Sequence, residues 1–375
     1  MSVSYEHRSV EPTIWASAGR MNRRGINFLM LFRLMIGMAC LAICQHAIAQ
    51  LDSANLQPRP PAATKPVNPP PAPVKTLVPA APTQPKNKLP SPQTVAFKTR
   101  DGVLIGATYY PSPLENVAQK DAVPVILLHP FKGSRADFND LALALQDAGC
   151  AVLAPDLRGH GQSTRRTNAD GKEVEIEQAL MNRQDFEAMG HADLDWAGDV
   201  EACNKFLRAK NNAKELNIDK LVIVGAEMGA AVAINWAQSD WSWPVLPGAP
   251  KQGQDVKALI LLSPQWSFRG LPVGNAIGNH DFVSKLSWMI LVGEQDAKIY
   301  PEAKRLFLAL QRTPLPLASD APGKPAVSFH SYPTSLQGAQ LLARNFNSTA
   351  EIVKFIDQQV AKTIHPWTDR KSPLD

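Results

Sequence analysis

The chemistry in this chain centres on one carboxylate, Glu227, and on the residues that flank it. It lies within Leu221-Val222-Ile223-Val224-Gly225-Ala226-Glu227-Met228-Gly229-Ala230-Ala231. An apolar run, two spaced glycines and a stretch of small residues read as a buried strand that turns sharply into a helix. Gly225-x-x-x-Gly229 is the spacing of a nucleophile elbow, the turn that holds an attacking oxygen above the end of a strand. An acyl-transfer site needs a nucleophile there, a base of near-neutral pKa to take its proton, and an acid to orient that base. Glu227 offers a carboxylate where a hydroxyl is expected.

The surrounding elements must place that turn. Segments 94–99 and 104–110 alternate in polarity and flank Arg100-Asp101-Gly102, a hairpin signal. Short apolar runs at 123–128, 151–154, 221–224, 258–262, 288–292 and 326–332 read as buried strands. Helical periodicity fills 134–148, 194–210, 228–238, 301–311 and 350–359, the first stopping at Gly149. Strands alternating with helices predict an α/β fold, a mostly parallel sheet with helices on both faces and an antiparallel hairpin at one edge. Ligands of such sheets bind at the carboxyl ends of the strands. The gap between Leu262 and Trp288 is too short for a large lid domain, and the charged stretch 164–192, irregular or partly helical, is placed to overhang the site.

Three further motifs fall at predicted strand ends: His129-Pro130-Phe131-Lys132-Gly133-Ser134, Asp156-Leu157-Arg158-Gly159-His160-Gly161-Gln162-Ser163 and Leu291-Val292-Gly293-Glu294-Gln295-Asp296. With the elbow, they make residues 93–362 resemble an α/β-hydrolase of the lidless or small-lid kind related to serine aminopeptidases and esterases. The Asp156–Ser163 octapeptide is the most specific marker, very like the family's D-x-R-G-H-G-x-S turn. The resemblance implies that Asp156, Arg158, Gly159, His160 and Gly161 brace loops near the site, and that His129 does the same. It puts Phe131 and Met228 at the oxyanion-hole amides, although Pro130 stands where a glycine is usual. It puts Asp296 at the position of the acid, with helix capping as the plainer alternative.

At the last strand end, where the family carries a histidine followed by glycine, this chain reads Tyr332-Pro333-Thr334-Ser335-Leu336-Gln337-Gly338, so Gln337 takes the histidine's place. Gln337 has no group that titrates near pH 7. His330 lies upstream in the strand and reads as packed or surface. Ser134, Ser263 and Ser335 lie near strand ends, but none sits at an elbow. Glu227 itself, at a helix amino end, is expected to accept hydrogen bonds from the Met228 and Phe131 amides, which would lower its pKa.

The rest of the chain sets the context. Residues 26–43 are apolar apart from Asn27 and Arg33, follow Arg20, Arg23 and Arg24, and precede Ala47-Ile48-Ala49. Segment 1–49 therefore reads as a signal peptide cleaved near Gln50, with Met21 as an alternative initiator, or as a membrane tether through 26–43. Residues 50–92, rich in proline and alanine, read as a disordered spacer, and 363–375 as a C-terminal tail. The spacer carries Arg59, Lys65, Lys75, Lys86 and Lys88 against Asp52, so it supplies most of the formal charge of +5. The domain is then near neutral, and nucleic acid is not an expected partner.

Cys150 and Cys203, the two cysteines of the domain, read as buried thiols, although export would permit a disulfide. No cofactor motif and no Cys/His cluster of metal-ligand spacing is found. Trp236 and Trp288 read as core, Trp241 and Trp243 as a loop patch, and Arg165-Arg166 as a solvated pair. Three functions compete. The first is an exported, non-catalytic hydrolase-fold protein that binds a small ligand or an envelope protein in the old cleft. The second is an active ester or peptide hydrolase with unusual residues, and the third is a structural envelope protein.

Overall fold

The computed structural model describes residues 89–370 except 191–197, 246–247, 249–250, 319–321 and 344. All of these belong to the compact unit Pro82–Asp375. The expected leader or tether at 1–49, with Cys40 and Cys44, and the spacer up to residue 88 lie outside the described residues.

Eight strands form one sheet: β1 (Gln93–Lys98), β2 (Leu104–Tyr110), β3 (Pro124–Leu128), β4 (Ala151–Pro155), β5 (Leu221–Ala226), β6 (Val256–Leu262), β7 (Ser287–Gly293) and β8 (Val327–Tyr332). Their order is β1-β2-β4-β3-β5-β6-β7-β8. The β1–β2 hairpin is antiparallel, and β2 also runs antiparallel to β4; every other pairing is parallel. This is the expected mixed sheet, an α/β-hydrolase fold.

The central strands are apolar on both faces because both faces are covered. In β3, Ile126 and Leu128 enter one core layer, while Val125 and Leu127 enter the other. Helices α3 (Asp199–Asn212), α4 (Met228–Ser242) and α5 (Ile299–Leu310) cover the first face. Helices α1 (Asn139–Asp147) and α6 (Ser348–Ile356) cover the second. Trp236 and Trp288 are fully buried in the first layer.

Several elements differ from expectation. The stretch expected to be irregular or partly helical does hold a helix, α2 (Arg183–Met189), but also an unexpected antiparallel ribbon, Arg165–Thr167 paired with Glu173–Glu175. Arg166 is a strand residue bridged to Val103, so the arginine pair is not a loop. Backbone pairing built this ribbon without any apolar pattern to betray it. The Trp241 indole donates to the Val256 carbonyl at 3.0 Å with the Lys257 ammonium over its ring, and Trp243 packs against Gly253. Both are half-buried, so they form no exposed patch.

Cys150 and Cys203 are both free and buried, and burial raises both thiol pKa values. The residues read as a tail also pack on the domain. Asn212 Nδ2 donates to the Arg370 carbonyl at 2.8 Å, and the Trp367 indole donates to the Asn211 carbonyl.

Candidate functional site

The elbow is made by two close approaches. A Cβ on Gly225 would collide with the Gly229 carbonyl, and one on Gly229 with the Leu128 carbonyl. Only glycines let α4 start this near the end of β3. The turn forces Glu227 to φ 49 and ψ −102, outside the ordinary L-residue regions. Its own N–H donates to the Leu262 carbonyl at 2.9 Å, which fixes the apex over β6.

The Glu227 side chain does not follow the expectation set for it. It makes no capping bond to α4. Instead Oε1 lies over Gly338, close enough to collide with any Cβ there. The carboxyl pKa is raised rather than lowered, first by burial and then by the Asp296 carboxylate. Without amide donors, nothing offsets desolvation of the charged form.

Gln337 is held at both ends of its amide. Nε2 donates to the Gly293 carbonyl at 2.9 Å, and Oε1 accepts from Ser263 Oγ at 2.6 Å and from the Gly293 N–H at 3.3 Å. Ser263 is wholly buried at φ 53, and its Oγ also accepts from the Gly338 N–H at 2.8 Å. Ser263 and Gln337 thus stitch together the ends of β6, β7 and β8. The sequence shows Ser263 at a strand end but gives no sign of this bond. Asp296 Oδ1 accepts from the Lys298 and Ile299 amides, both at 2.8 Å, and so starts α5. Glu227, Asp296 and Gln337 are brought to one end of the sheet, while His330 lies along β8, half-buried against α6.

The flanking loops are braced by buried polar groups. His129 Nε2 accepts from the Leu157 N–H at 2.9 Å, and its Nδ1 faces the Pro130 carbonyl at 2.8 Å. Burial pushes its pKa down to about 4, which keeps it neutral and able to accept. Asp156 accepts from the Arg135 and Gln162 amides. Gly161, at φ 50, leaves room for that carboxylate. Arg158 pairs with Asp101 at 2.8 Å and with Asp199 at 2.7 Å. His160 Nδ1 lies 2.9 Å from the Arg158 carbonyl, and Gly159 turns beside Met181 at φ 73.

Phe131 packs against His160, Phe186 and Phe268, with the Arg269 guanidinium 4.1 Å from its ring centre. Phe131, Lys132, Gly133, Glu227, Gln337 and Gln340 are among the residues that line an open cleft of about 440 Å³. Lys132 lies within the His129–Ser134 motif but nothing there marks its side chain as functional, and Gln340 belongs to no motif. Among the described residues, no cluster of three His, Cys, Asp or Glu side chains is arranged to hold a metal ion.

A strained elbow at the carboxyl end of a parallel sheet, with the Asp156 turn and the last-strand loop beside it, defines a class of fold. The chain belongs to the alpha/beta hydrolase fold family, whose family model matches residues 123–314. Solved structures similar to it include an esterase from Pyrococcus furiosus (TM-score 0.47, 15% identity, 71% of this chain and 90% of that one). A carboxyl esterase from Bacillus coagulans aligns with TM-score 0.46 and 13% identity over 71% of this chain and 98% of that one. An acylaminoacyl peptidase from Pyrococcus horikoshii aligns with TM-score 0.46 and 13% identity over 76% of this chain and 44% of that one. Comparison with curated proteins returned no match.

Proposed function

We propose that this is an exported α/β-hydrolase-fold protein that binds a small ligand in the elbow cleft and does not run a Ser-His-Asp reaction there. One observation carries this reading: both ends of the Gln337 amide are committed to Ser263 and Gly293. The position that should supply the base therefore serves as a structural tie. Glu227 could form an ester by attack, but no histidine is among the described residues that line the cleft to activate the water that would cleave it. Asp296 fits the same picture, since Oδ1 is spent on two amides.

The cleft has a chemical preference. Glu227 is half-buried, has no amide partner at the start of α4, and lies near a second carboxylate. A ligand that brings an amine or another strong donor to this point would relieve both deficits. Lys132 and Gln340 at the rim would meet an acceptor on its other end. Export rests on the apolar run 26–43 and on Ala47-Ile48-Ala49.

The test is a panel of p-nitrophenyl esters and aminoacyl anilides, run beside an NMR titration with simple amino alcohols. We expect shifts at the Phe131, Gly133 and Gly338 amides that Glu227→Gln abolishes. Ester or anilide turnover that disappears in Glu227→Ala would overturn the reading in favour of an unusual hydrolase. The double variant Glu227→Ser with Gln337→His should gain weak esterase activity if the rest of the scaffold is sound.

A further inference from the structure

A second set of groups capable of chemistry lies away from the elbow. β8 is the last strand of the sheet, and alternate side chains on it share a face. Ser328, His330 and Tyr332 are on the face that meets α6. Ser328 Oγ lies 2.5 Å from His330 Nε2, and His330 Nδ1 lies 3.3 Å from Glu351 Oε2 on α6. The Tyr332 hydroxyl donates to the same Glu351 oxygen. This is a hydroxyl, an imidazole and a carboxylate in series, in the order that an acyl-transfer relay requires.

The series opens on space. Ser328, His330 and Glu351 line a cleft of about 530 Å³, together with Lys354, Asn347 and Gln358. The side chains of His330 and Glu351 keep 33% and 27% of their exposure, so reagents can reach them. Burial lowers the His330 pKa against the opposing pull of Glu351. That direction favours the neutral imidazole, and a proton on Nδ1, facing the Glu351 carboxylate, leaves Nε2 to accept from Ser328. Lys354, Asn347 and Gln358 supply N–H donors on the cleft wall, of the kind that can hold a developing oxyanion.

We propose that the cleft between β8 and α6 is a reactive-serine site for small carboxylic esters, with Ser328 as nucleophile, His330 as its base and Glu351 as the group that orients the imidazole. Ser328 Oγ forms a bond to the ester carbonyl carbon, and its proton passes to His330 Nε2. The bond to the alcohol oxygen breaks, and the leaving alkoxide takes that proton. Water then attacks the acyl-serine, giving a proton to His330. The carboxylic acid leaves, and the same proton returns to Ser328 Oγ. A purely structural staple of α6 to the sheet edge would use the same three side chains but would not make the serine reactive. The site is independent of the elbow, because none of its lining residues is shared with that cleft.

The experiment treats the full chain with an alkyl fluorophosphonate and maps the adduct by peptide mass spectrometry. The expected result is a stoichiometric adduct on Ser328, absent in Ser328→Ala and formed at least tenfold more slowly in His330→Gln. Glu351→Gln keeps an acceptor for Tyr332 and leaves Ser328 in place, so it should label several-fold more slowly even if Ser328→Ala folds poorly. An unlabelled Ser328, or labelling at equal rate in His330→Gln, overturns the proposal. An adduct found only on Ser263 overturns it and also overturns the reading of the elbow cleft, whereas no adduct anywhere leaves the elbow reading standing.

Discussion

Arg370 and Asp255 pair at 2.5 Å, and both side chains are wholly buried. The contact joins a residue just before β6 to the end of the described chain. Arg370 Nη2 also reaches the Gly253 carbonyl at 3.3 Å, and Nη1 lies 3.5 Å from Asp219. A buried ion pair adds little over an apolar pair of the same shape, but removing one partner strands the other charge. Arg370→Ala should therefore lower stability by about 3–5 kcal/mol, read from the urea denaturation midpoint. An unchanged midpoint would show that the C-terminal segment merely rests on the domain.

The same region predicts a pH effect. Asp240 Oδ2 accepts from the Asp255 and Val256 amides, and burial, followed by the nearby Asp255 charge, raises the Asp240 pKa to about 7. Its folded pKa exceeds the unfolded value of about 3.9, so the folded state holds the proton more tightly. The contribution is full below the unfolded pKa and is lost as pH climbs through about 7. Asp240→Asn keeps a neutral acceptor there, so the variant should lose less stability than the parent between pH 4 and 8. Parallel pH–stability curves would refute this.

Gly338 and Glu227 compete for one space. Gly338 sits at φ 56, and a Cβ on it would meet Glu227 Oε1. Gly338→Ala should cost about 1–2 kcal/mol from the left-handed backbone alone, and more from the clash. Adding Glu227→Ala should recover the clash part and leave the backbone part. The double-mutant cycle should show a coupling of at least about 0.5 kcal/mol; additive effects would place the carboxylate elsewhere.

Gln337→Ala should destabilise by about 1–3 kcal/mol, because Ser263 Oγ and the Gly293 carbonyl lose a buried partner. Amide exchange at Gly338 should quicken in the same variant, since Ser263 would be free to rotate. Thermal unfolding at the parental midpoint would mean that the tie is incidental.

The parts of the fold legible in the sequence were those where one short segment carries its own reason. β3, β5 and β7 are buried on both sides and therefore read as unbroken apolar runs. Gly225 and Gly229 mark a turn that only glycines permit. The direction taken by the Glu227 side chain was not legible, because it depends on space above Gly338, which opens a 3-10 turn far along the chain. The Arg165–Thr167 ribbon was hidden because its strands pair through backbone and carry charged side chains. Arg370–Asp255 and Ser328–His330–Glu351 were hidden for a shared reason: each joins side chains that only the folded chain brings together.

The distorted turn at residue 227 is imposed from outside it, by the contact of Gly225 with Gly229 and of Gly229 with the Leu128 carbonyl. Any residue at the apex inherits the same aim, and its conformational cost is borne whether or not the residue reacts. Changes of chemistry at this point are therefore interchangeable parts on a fixed mount. A lineage carrying this scaffold can exchange a carboxylate for a hydroxyl in either direction without re-evolving the loop that presents it.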